Sequence, residues 1–419
     1  MRVAIGERVK VKKRNTWKTL CRIVFFLFII YTQYLQFVMA EIPGMVIMLG
    51  GATIGLCFAG ILAKYGGVEF VQLKEYRLYC VFFIVSFALG IIGCQLLSVH
   101  LESWTQSFLY FLLIPCIFFM FENIAEYKKL LLFYVCFSIL CAITLMINPV
   151  IYKNASVASL NNIRYSLSAD LNVNTLGMYF VLGAWCLLVL ATFVESKLLV
   201  IYPIILVLFL YAIFLTCSRK NLIAFIILVV VWNILIWIPQ NRNKLIKILC
   251  VVVILSIVMI YAYNNFYVGS SLEYRMNNLF MGVDDGNNIR ENMYENAFEL
   301  LKKKFITGFG FGGYAAYYSG VYSHATYAEL PACTGIVGSI IYFRMYFCSI
   351  RKLIINIVYV KNSSKFCEIK KLLYMALIMW ILILFYSSCV IMFYELICFL
   401  IFGFLFVIIR FCEDEIALE

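Results

Sequence analysis

The chain has 419 residues, of which 64% are hydrophobic and 13% are charged, and its formal net charge is +12. Soluble domains are about 25% charged, and a water-soluble fold of this length has no core large enough to bury so much apolar surface. A soluble globular fold is therefore excluded. The positive charge does not indicate nucleic-acid binding either, because Lys and Arg residues lie in short segments between apolar stretches and form no stripe with aromatic residues.

Successive apolar stretches predict an all-α, polytopic membrane bundle of about twelve spans. Stretches such as Leu198 to Leu215 and Ile246 to Ile260 are continuously apolar, whereas strands of a membrane barrel alternate polar and apolar residues. The chain is interpreted as one membrane domain, 1–419. We place the spans near 23–39, 44–63, 78–98, 107–121, 129–147, 176–193, 198–216, 221–238, 246–263, 329–347, 372–388 and 391–409.

The distribution of Lys and Arg predicts that both termini are cytoplasmic. The N-terminal segment and the loops on its side of the membrane contain 25 of these residues, and the other side contains 9. Loops rich in Lys and Arg remain in the cytoplasm. The residues up to Ala40 also have features of a signal peptide, but the apolar stretch is long for one, which favours a retained first span.

Two predicted extracytoplasmic loops are longer than the others. One is 148–175, which is rich in Asn and Ser, and the other is the large loop 264–328, between the ninth and tenth spans. Loops longer than about 12–15 residues are usually functional or disordered. The large loop contains an amphipathic stretch from Arg290 to Phe305 and then a glycine cluster, which indicates short helices packed over the membrane surface.

Cationic residues on the extracytoplasmic side are the first candidates for a site. Arg219 and Lys220 occupy a short turn between two apolar spans, where they either extend to lipid headgroups or form an anion site. Arg290 and Arg275 add two guanidinium groups from the large loop. A planar guanidinium with five donors is suited to holding a phosphate in one orientation.

The second group of candidates follows in the large loop. Gly308, Gly310 and Gly313 satisfy the pattern G-x-G-x-x-G, but a dinucleotide site requires a βαβ unit, so a tightly bent backbone near a ligand is favoured. His324 follows at the predicted water–lipid boundary, with Tyr327 and Glu329 beside it. A neutral imidazole can accept a proton from an attacking hydroxyl group.

No metal site or cofactor is predicted. The sixteen cysteines contain no C-x-x-C pair and fall mostly inside apolar runs, where a thiol behaves as a small hydrophobic group, and the chain has two histidines. A zinc site requires about four Cys or His ligands at close spacing. Positive charge for an anionic ligand would therefore come from Arg side chains.

Several motifs of this region resemble those of the O-antigen ligase and polymerase family of bacterial membrane glycosyltransferases. The resemblance extends from about residue 160 to 345, and the first five spans are similar in topology alone. Ala325 departs from the pattern, which has Asn after the His. The matching motifs are Ser218-Arg219-Lys220, Arg290 to Tyr294, Ile306 to Tyr314, Ser323-His324, Tyr327 to Leu330, Thr334 to Gly338 and, weakly, Asn174 to Gly177.

The resemblance implies a metal-independent transfer on the outer face of a bacterial cytoplasmic membrane. The donor would be an oligosaccharide linked to undecaprenyl diphosphate, and the acceptor would be a hydroxyl group of another lipid-linked glycan. Arg219 and Arg290, with Arg275 as a weaker candidate, would bind the diphosphate, and His324 would be the base or would orient the acceptor. A chain-length regulator and a flippase are the partner proteins to expect.

Three functions remain open, and a polymerase of capsule or O-antigen repeat units is preferred. A ligase that passes the glycan to a different acceptor would share the donor site. A flippase or exporter of lipid-linked sugars would be a non-enzyme. Such carriers place ionisable groups near the middle of the membrane, whereas the polar residues here gather in one asymmetric loop, which favours chemistry at the surface.

Overall fold

The structure is a computed structural model. It describes residues 16–39, 41–65, 74–152, 163–193, 201–237, 273, 277, 285–318, 320–361 and 366–417. The chain is a polytopic helical membrane protein, as predicted. Ten of its described helical segments are long and apolar enough to cross a bilayer. The described residues also contain one pair of two-residue antiparallel strands, β1 and β2, inside the predicted loop 148–175.

The helices follow the predicted spans closely. α1 passes through a π-helical turn, Tyr31–Leu35, into the short segment Gln36–Val38, and α9 ends in a π-helical turn, Asn233–Trp237. In chain order the elements are α1 Thr16–Ile30, α2 Met45–Tyr65, α3 Lys74–Gly93, α4 Leu97–Phe111, α5 Leu113–Met120, α6 Ile124–Ile147, β1 Val150–Ile151, β2 Tyr165–Ser166, α7 Val173–Ala191, α8 Ile201–Thr216, α9 Arg219–Trp232, α10 Asp285–Lys303, α11 Gly313–Tyr317, α12 Thr326–Val360, α13 Cys367–Ser387 and α14 Leu396–Ala417.

The boundaries differ from prediction at several crossings: α1 begins seven residues before the predicted span, and α12 and α14 end 13 and eight residues after theirs. The predicted span 78–98 ends at Gly93, because the chain turns at 94–96, and the next crossing begins at Leu97 and combines α4 with α5. α8 is apolar but has 16 residues, fewer than a full crossing requires. The predicted span 246–263 lies outside the described residues, so the count of about twelve stays a prediction. The amphipathic stretch of the large loop is helical, as α10.

The two ends of the bundle have different chemistry. Lys18 and Lys64 pair with Glu122, and Arg22 pairs with Glu126, where α1 begins, α2 ends and α6 begins. The end of α14 lies at this end too, because the Arg410 guanidinium lies over the Phe118 ring. We call this the ion-paired end. The opposite end, where α7, α9, α12 and α14 begin, contains the candidate site and is called the cavity end.

A break in α12 is where the large loop joins the bundle. Gly335 has φ 64° and ψ −173°, so the helical hydrogen bonding is interrupted there. The loop before α12 supplies the missing partners: the Ile336 N–H donates to the Phe305 carbonyl (2.8 Å), and Phe309 N–H donates to the Ala332 carbonyl (2.9 Å). Unsatisfied backbone groups are costly in an apolar environment, so the hydrogen bonds from the loop stabilise the break in α12.

Substituting Gly335 with Ala should destabilise the fold. The backbone conformation is accessible almost only to Gly, and a Cβ atom would lie 2.1 Å from the Ile306 carbonyl oxygen. We expect a loss of about 2 kcal/mol or more, measured as a lower unfolding temperature in detergent. Gly51→Ala is the matched control, because its Cβ meets no atom within 4 Å and should leave stability equal or higher. Equal unfolding temperatures for both variants would contradict the backbone constraint assigned to Gly335.

Candidate functional site

A cavity of about 510 Å³ opens at the cavity end of the bundle. Segments distant in sequence line it: the π-helical turn of α1, the middle of α4, the start of α7, the start of α9, the segment before α12 and the segment between α13 and α14. Its charged and titratable lining includes Lys220, His324, Glu395 and Asp170. A concave site with convergent polar groups is the default candidate for ligand binding.

His324 is held in a strained backbone conformation at the edge of this cavity. Its φ of 60° lies in the left-handed region, which residues other than Gly rarely adopt. The carboxylate of Glu329 fixes the turn, because Oε2 accepts hydrogen bonds from the Ser323 N–H (2.7 Å) and the Ser323 hydroxyl (2.9 Å). Such strain persists where surrounding contacts over-determine it, commonly at functional sites. Glu329, fully buried, therefore positions His324 and does not line the cavity.

The residue after this turn ties it to the segment between α13 and α14. Thr326 donates from its N–H (3.1 Å) and its hydroxyl (2.7 Å) to the Val390 carbonyl. The Thr326 hydroxyl oxygen accepts in return from the Met392 N–H at 2.8 Å. The His324 turn and the chain leading to Glu395 are therefore one rigid unit, although 71 positions separate their numbers in the sequence.

A polar network holds the turn before α9. The Ser218 hydroxyl donates to Asn174 Oδ1 (2.9 Å), and Arg164 Nη2 donates to the same oxygen (3.0 Å). Asn221 Nδ2 donates to the Asn174 carbonyl (2.8 Å) and to the Ser218 hydroxyl oxygen (2.8 Å). The Tyr386 hydroxyl donates to Asn221 Oδ1 at 2.8 Å. The segments that contain Ser218 and Asn174, both motifs of the sequence analysis, are thus parts of one buried structure.

Close packing explains the spacing of the Asn174 motif. A Cβ atom on Gly177 would lie 2.2 Å from Asn221 Nδ2, so a side chain at this position would displace the amide that joins α7 to α9. Glycine here allows α9 to approach α7. The start of α9 is consequently fixed relative to the cavity wall formed by the start of α7.

Of the two adjacent cations at the start of α9, Lys220 lines the cavity. Its Nζ donates to the Cys389 carbonyl at 2.9 Å, in the lining that also contains His324. Arg219 is half-buried and is not in the cavity lining. Consecutive residues of a helix point in directions about 100° apart, so the two side chains lie on different sides of α9. The role predicted for Arg219 stays a prediction.

Arg290 lies near the same group although it belongs to α10. Burial lowers the pKa of the His324 imidazole below its usual value of 6.5, and the positive charges of Lys220 and Arg290 lower that pKa further. Both cations therefore lie within electrostatic range of the ring. Such an imidazole is neutral near pH 7 and can accept a proton. Arg275 lies outside the described residues.

The glycine cluster is structural. Gly308, Gly310 and Gly312 all have positive φ, and Gly313 begins α11. Their backbone donors are occupied by the protein: Gly310 N–H donates to the Cys333 carbonyl (2.8 Å), and Gly312 N–H donates to the Tyr394 hydroxyl oxygen (2.7 Å). None of these glycines lines the cavity. The cluster connects the α12 break to α4 and to Tyr394, which does line it.

His100, the second histidine, supports the same cluster. It is completely buried on α4, and its Nδ1 accepts a hydrogen bond from the Phe311 N–H at 3.0 Å. Its Nε2 lies 3.3 Å from the Phe87 carbonyl and is therefore the protonated nitrogen, since a carbonyl can only accept. Both ring nitrogens have protein partners, so His100 has a structural role.

An apolar groove runs beside the cavity end. It has a volume of about 470 Å³ and lies between α10 and the start of α12. Phe298, Leu301, Tyr327 and Pro331 line it, together with Ala325, which follows His324 in the chain. Tyr327, a candidate of the sequence analysis, is therefore a groove residue, and its hydroxyl donates to the Leu384 carbonyl at 3.2 Å. Tyr294, one helical turn after Arg290, also lines the groove.

Sequence reasoning missed part of the cavity. Gln33 and Gln36 on α1 and Glu395 before α14 line it, yet they fell inside the predicted spans 23–39 and 391–409. One signal could have found Glu395: an ionisable residue inside an apolar span is a functional candidate by itself. Lys220 lies close enough to interact with Glu395 electrostatically, so the cavity contains a carboxylate near its cation.

Residues 204–343 match the family model described as O-antigen ligase. The matched range includes Lys220 and His324, which line the cavity, together with Arg290 and the glycine cluster, which do not. The family resemblance predicted from the motifs is confirmed over that part of the chain. No individual protein of curated function matches the chain.

The structure predicts an unusual titration of His324. Since the chain has two histidines, a histidine-labelled protein gives two imidazole NMR signals, and the His324→Gln variant assigns them. The His324 signal should titrate with a midpoint below 6.5. In Lys220→Met the midpoint should rise, because one of the positive charges that disfavour the imidazolium is removed.

Lys303→Met is the control for this titration. Lys303 is an exposed lysine of α10 whose Nζ donates to the Tyr317 hydroxyl, and its loss should leave the His324 midpoint unchanged. A midpoint at or above 6.5, or one that Lys220→Met does not move, would show that His324 is not in the described environment.

Proposed function

We propose that the chain is a membrane glycosyltransferase that polymerises lipid-linked oligosaccharide repeat units. Two observations carry the proposal: Lys220 and a neutral His324 line one cavity, with Arg290 within electrostatic range of His324, and an apolar groove begins at Ala325, the next residue in the chain. A lipid diphosphate carrying a sugar needs these three environments: cations for the phosphates, a base for the acceptor, and an apolar surface for the lipid.

The reaction assigns a role to each group. The hydroxyl oxygen of the acceptor attacks the anomeric carbon of the donor sugar while the bond from that carbon to the diphosphate oxygen breaks. The bonding electron pair leaves with the diphosphate, and Lys220 and Arg290 stabilise the added charge. His324 takes the hydroxyl proton. Arg219, one residue from Lys220, is proposed to contact the diphosphate from outside the cavity lining, and the same role is proposed for Arg275.

The apolar groove is proposed to bind the polyprenyl chain of the donor. Its location supports this, because Tyr294 stands one turn after Arg290 on α10 and Ala325 stands next to His324. A diphosphate bound between Arg290 and His324 would direct its lipid along the groove. Phosphate charge neutralised by lysine and arginine side chains needs no metal ion, and we propose a metal-independent transfer.

The cavity end is proposed to face the outside of a bacterial cytoplasmic membrane. Lys18, Arg22 and Lys64 lie at the ion-paired end, and cationic segments remain cytoplasmic. Lipid-linked repeats would then be joined after a flippase has delivered them, and a chain-length regulator would act on the same face.

The second candidate is ligation of the finished glycan to a different acceptor. The description of the matched family as O-antigen ligase favours it. The donor side of the site would be the same in both reactions, and the acceptor side would differ. A flippase remains the candidate from another class, and the genetic test below separates all three.

Deleting the gene should leave single repeats on the cell surface, and His324→Ala should reproduce that phenotype. Removing a general base slows a transfer by about 10²–10⁴-fold. The measurement is the length distribution of the surface glycan, with membrane insertion checked by immunoblot. Val321→Ala, an exposed position in the same segment, is the matched control and should restore normal polymer.

Normal polymer with His324→Ala would refute the catalytic role. Polymer stranded on its lipid would indicate a ligase, and repeats retained inside would indicate a flippase.

Removing an aromatic ring from the apolar groove should weaken donor binding. Phe298→Ser is expected to raise KM for the lipid-linked donor about five- to tenfold with little change in kcat, because it removes apolar contact from the lipid alone. Phe305→Ser is the matched control, since Phe305 is similarly exposed (55% against 58%) and lies outside the groove. Equal KM values for the two variants, measured with purified enzyme, would contradict the assignment of the groove.

A further inference from the structure

Besides its cations, the cavity is lined by several amide and hydroxyl side chains. They include Gln33 and Gln36 in the turn after α1, Gln106 and Tyr110 on α4, and Asn172 just before α7, and we call these residues the amide pocket. Lys220 and His324 are the basic side chains in the lining of the whole cavity as far as the structure describes it, and neither belongs to the amide pocket. Nearly all of its polar groups are uncharged.

Gln33 is the residue that points to a ligand. Its side chain is 1% exposed, and its Oε1 accepts from the Tyr134 hydroxyl at 3.4 Å. Its Nε2 has no hydrogen-bond partner among the described residues, although the residue lines the cavity. The result is the same if the amide is flipped, because one end bonds Tyr134 and the other has no partner among the described residues. Buried polar groups are almost always paired, so an unpaired amide here calls for an external partner.

The backbone of α1 is shaped to present these amides. The helix widens into a π-helical turn at Tyr31–Leu35, and Thr32, Gln33 and Gln36 all line the cavity. π-helical turns cost stability and are frequent at functional sites. The Gln36 side chain donates to the Thr32 carbonyl, and the Thr32 hydroxyl donates to the Phe28 carbonyl at 2.7 Å, so polar side chains satisfy the altered turn.

We propose that the amide pocket binds the acceptor sugar, and that this sugar is uncharged, either neutral or N-acylated. The inference rests on the proposed function for the identity of the bound group as acceptor, since the cations and the apolar groove are assigned to the donor. Amide and hydroxyl groups both donate and accept, which matches the alternating donors and acceptors of sugar hydroxyl and acetamido groups. The unpaired amide end of Gln33 would gain its missing partner when the sugar binds.

Two carboxylates argue against an acidic sugar. Asp170 lines the cavity beside Asn172, and Glu395 lies close enough to interact electrostatically with Tyr110 and Tyr179. Glu395 also lines the cavity within electrostatic range of Lys220. A uronic acid in the amide pocket would bring its carboxylate towards two acidic side chains, with no basic side chain among the pocket residues, and such a clash is a common source of specificity.

The test uses purified full-length protein and free N-acetylglucosamine as the probe, observed by saturation-transfer NMR. Gln33→Leu and Gln106→Leu keep side-chain size and remove hydrogen bonding. Each should raise Kd about fivefold or more, since a lost hydrogen bond commonly weakens binding to that extent. Gln95→Leu is the matched control, because Gln95 is exposed and outside the cavity, and it should bind as the unaltered protein does. Glucuronate at the same concentration should give a weaker signal.

Equal Kd values for the two pocket variants and Gln95→Leu would overturn the proposal, as would glucuronate binding that is as strong and depends on Gln33. Gln106 is exposed, so Gln106→Leu should fold and tests sugar binding by the amide pocket even if Gln33→Leu does not fold. The assay requires neither donor nor turnover. If His324→Ala made normal polymer while these variants lost sugar binding, the glycosyltransferase proposal would fail and the amide pocket would remain a sugar site.

Discussion

The cavity end is organised by one constraint: where a helix ends inside an apolar bundle, every backbone donor and acceptor needs a partner from the protein. Glu329 meets this requirement at the His324 turn, and Ser218, Asn174 and Asn221 meet it before α9. Tyr394 and His100 meet it along the glycine cluster. Many polar residues of this end are therefore structural, and some of them, such as Asn174 and Tyr394, also line the cavity.

The same constraint accounts for the strained backbone at the site. Cys217 and His324 are the non-glycine residues with positive φ in the described part of the chain, and each stands one or two positions before a helix that begins at the cavity end. A strained turn of this kind costs on the order of 1–3 kcal/mol, so it is retained where fixed contacts prevent relaxation. The benefit is rigidity, since groups held in place need no reorganisation when charge develops in a transition state.

The positions of the helices were predictable from the sequence, whereas the side of each helix that faces the cavity was not. Apolar stretches locate spans such as Ile124–Ile147 because length and composition suffice for crossing a bilayer. Nothing in a local stretch states whether a polar residue within it, such as Gln33, faces lipid, core or cavity. That depends on α4 and α7, which approach α1 through contacts distant in sequence.

The cationic site was also predictable from the sequence only in part. The S-R-K turn and His324 were identified from motifs, and the structure places them at one end of the bundle. The position of Lys220 in the cavity lining was not accessible, because it depends on the rotation of α9, to which the hydrogen bond between Tyr386 and Asn221 contributes. The glycine cluster was predicted as a tight bend near a ligand. The bend is present, but protein groups occupy its donors.

The division of the cavity also bears on how such a chain could change its acceptor. Lys220, Arg290 and His324 lie within the residues that match the O-antigen ligase family model, whereas Gln33, Gln106 and Glu395 lie outside them. The two sets meet in space because the Thr326 bonds to the 390–392 segment place Glu395 beside Lys220. Substitutions at Gln33 or Gln106 can therefore alter the amide pocket without moving Lys220 and His324, since the groups that hold those two belong to α12 and to the segment between α13 and α14. On this architecture polymerase and ligase would differ in the helices that line the acceptor side, while the donor chemistry stays the same.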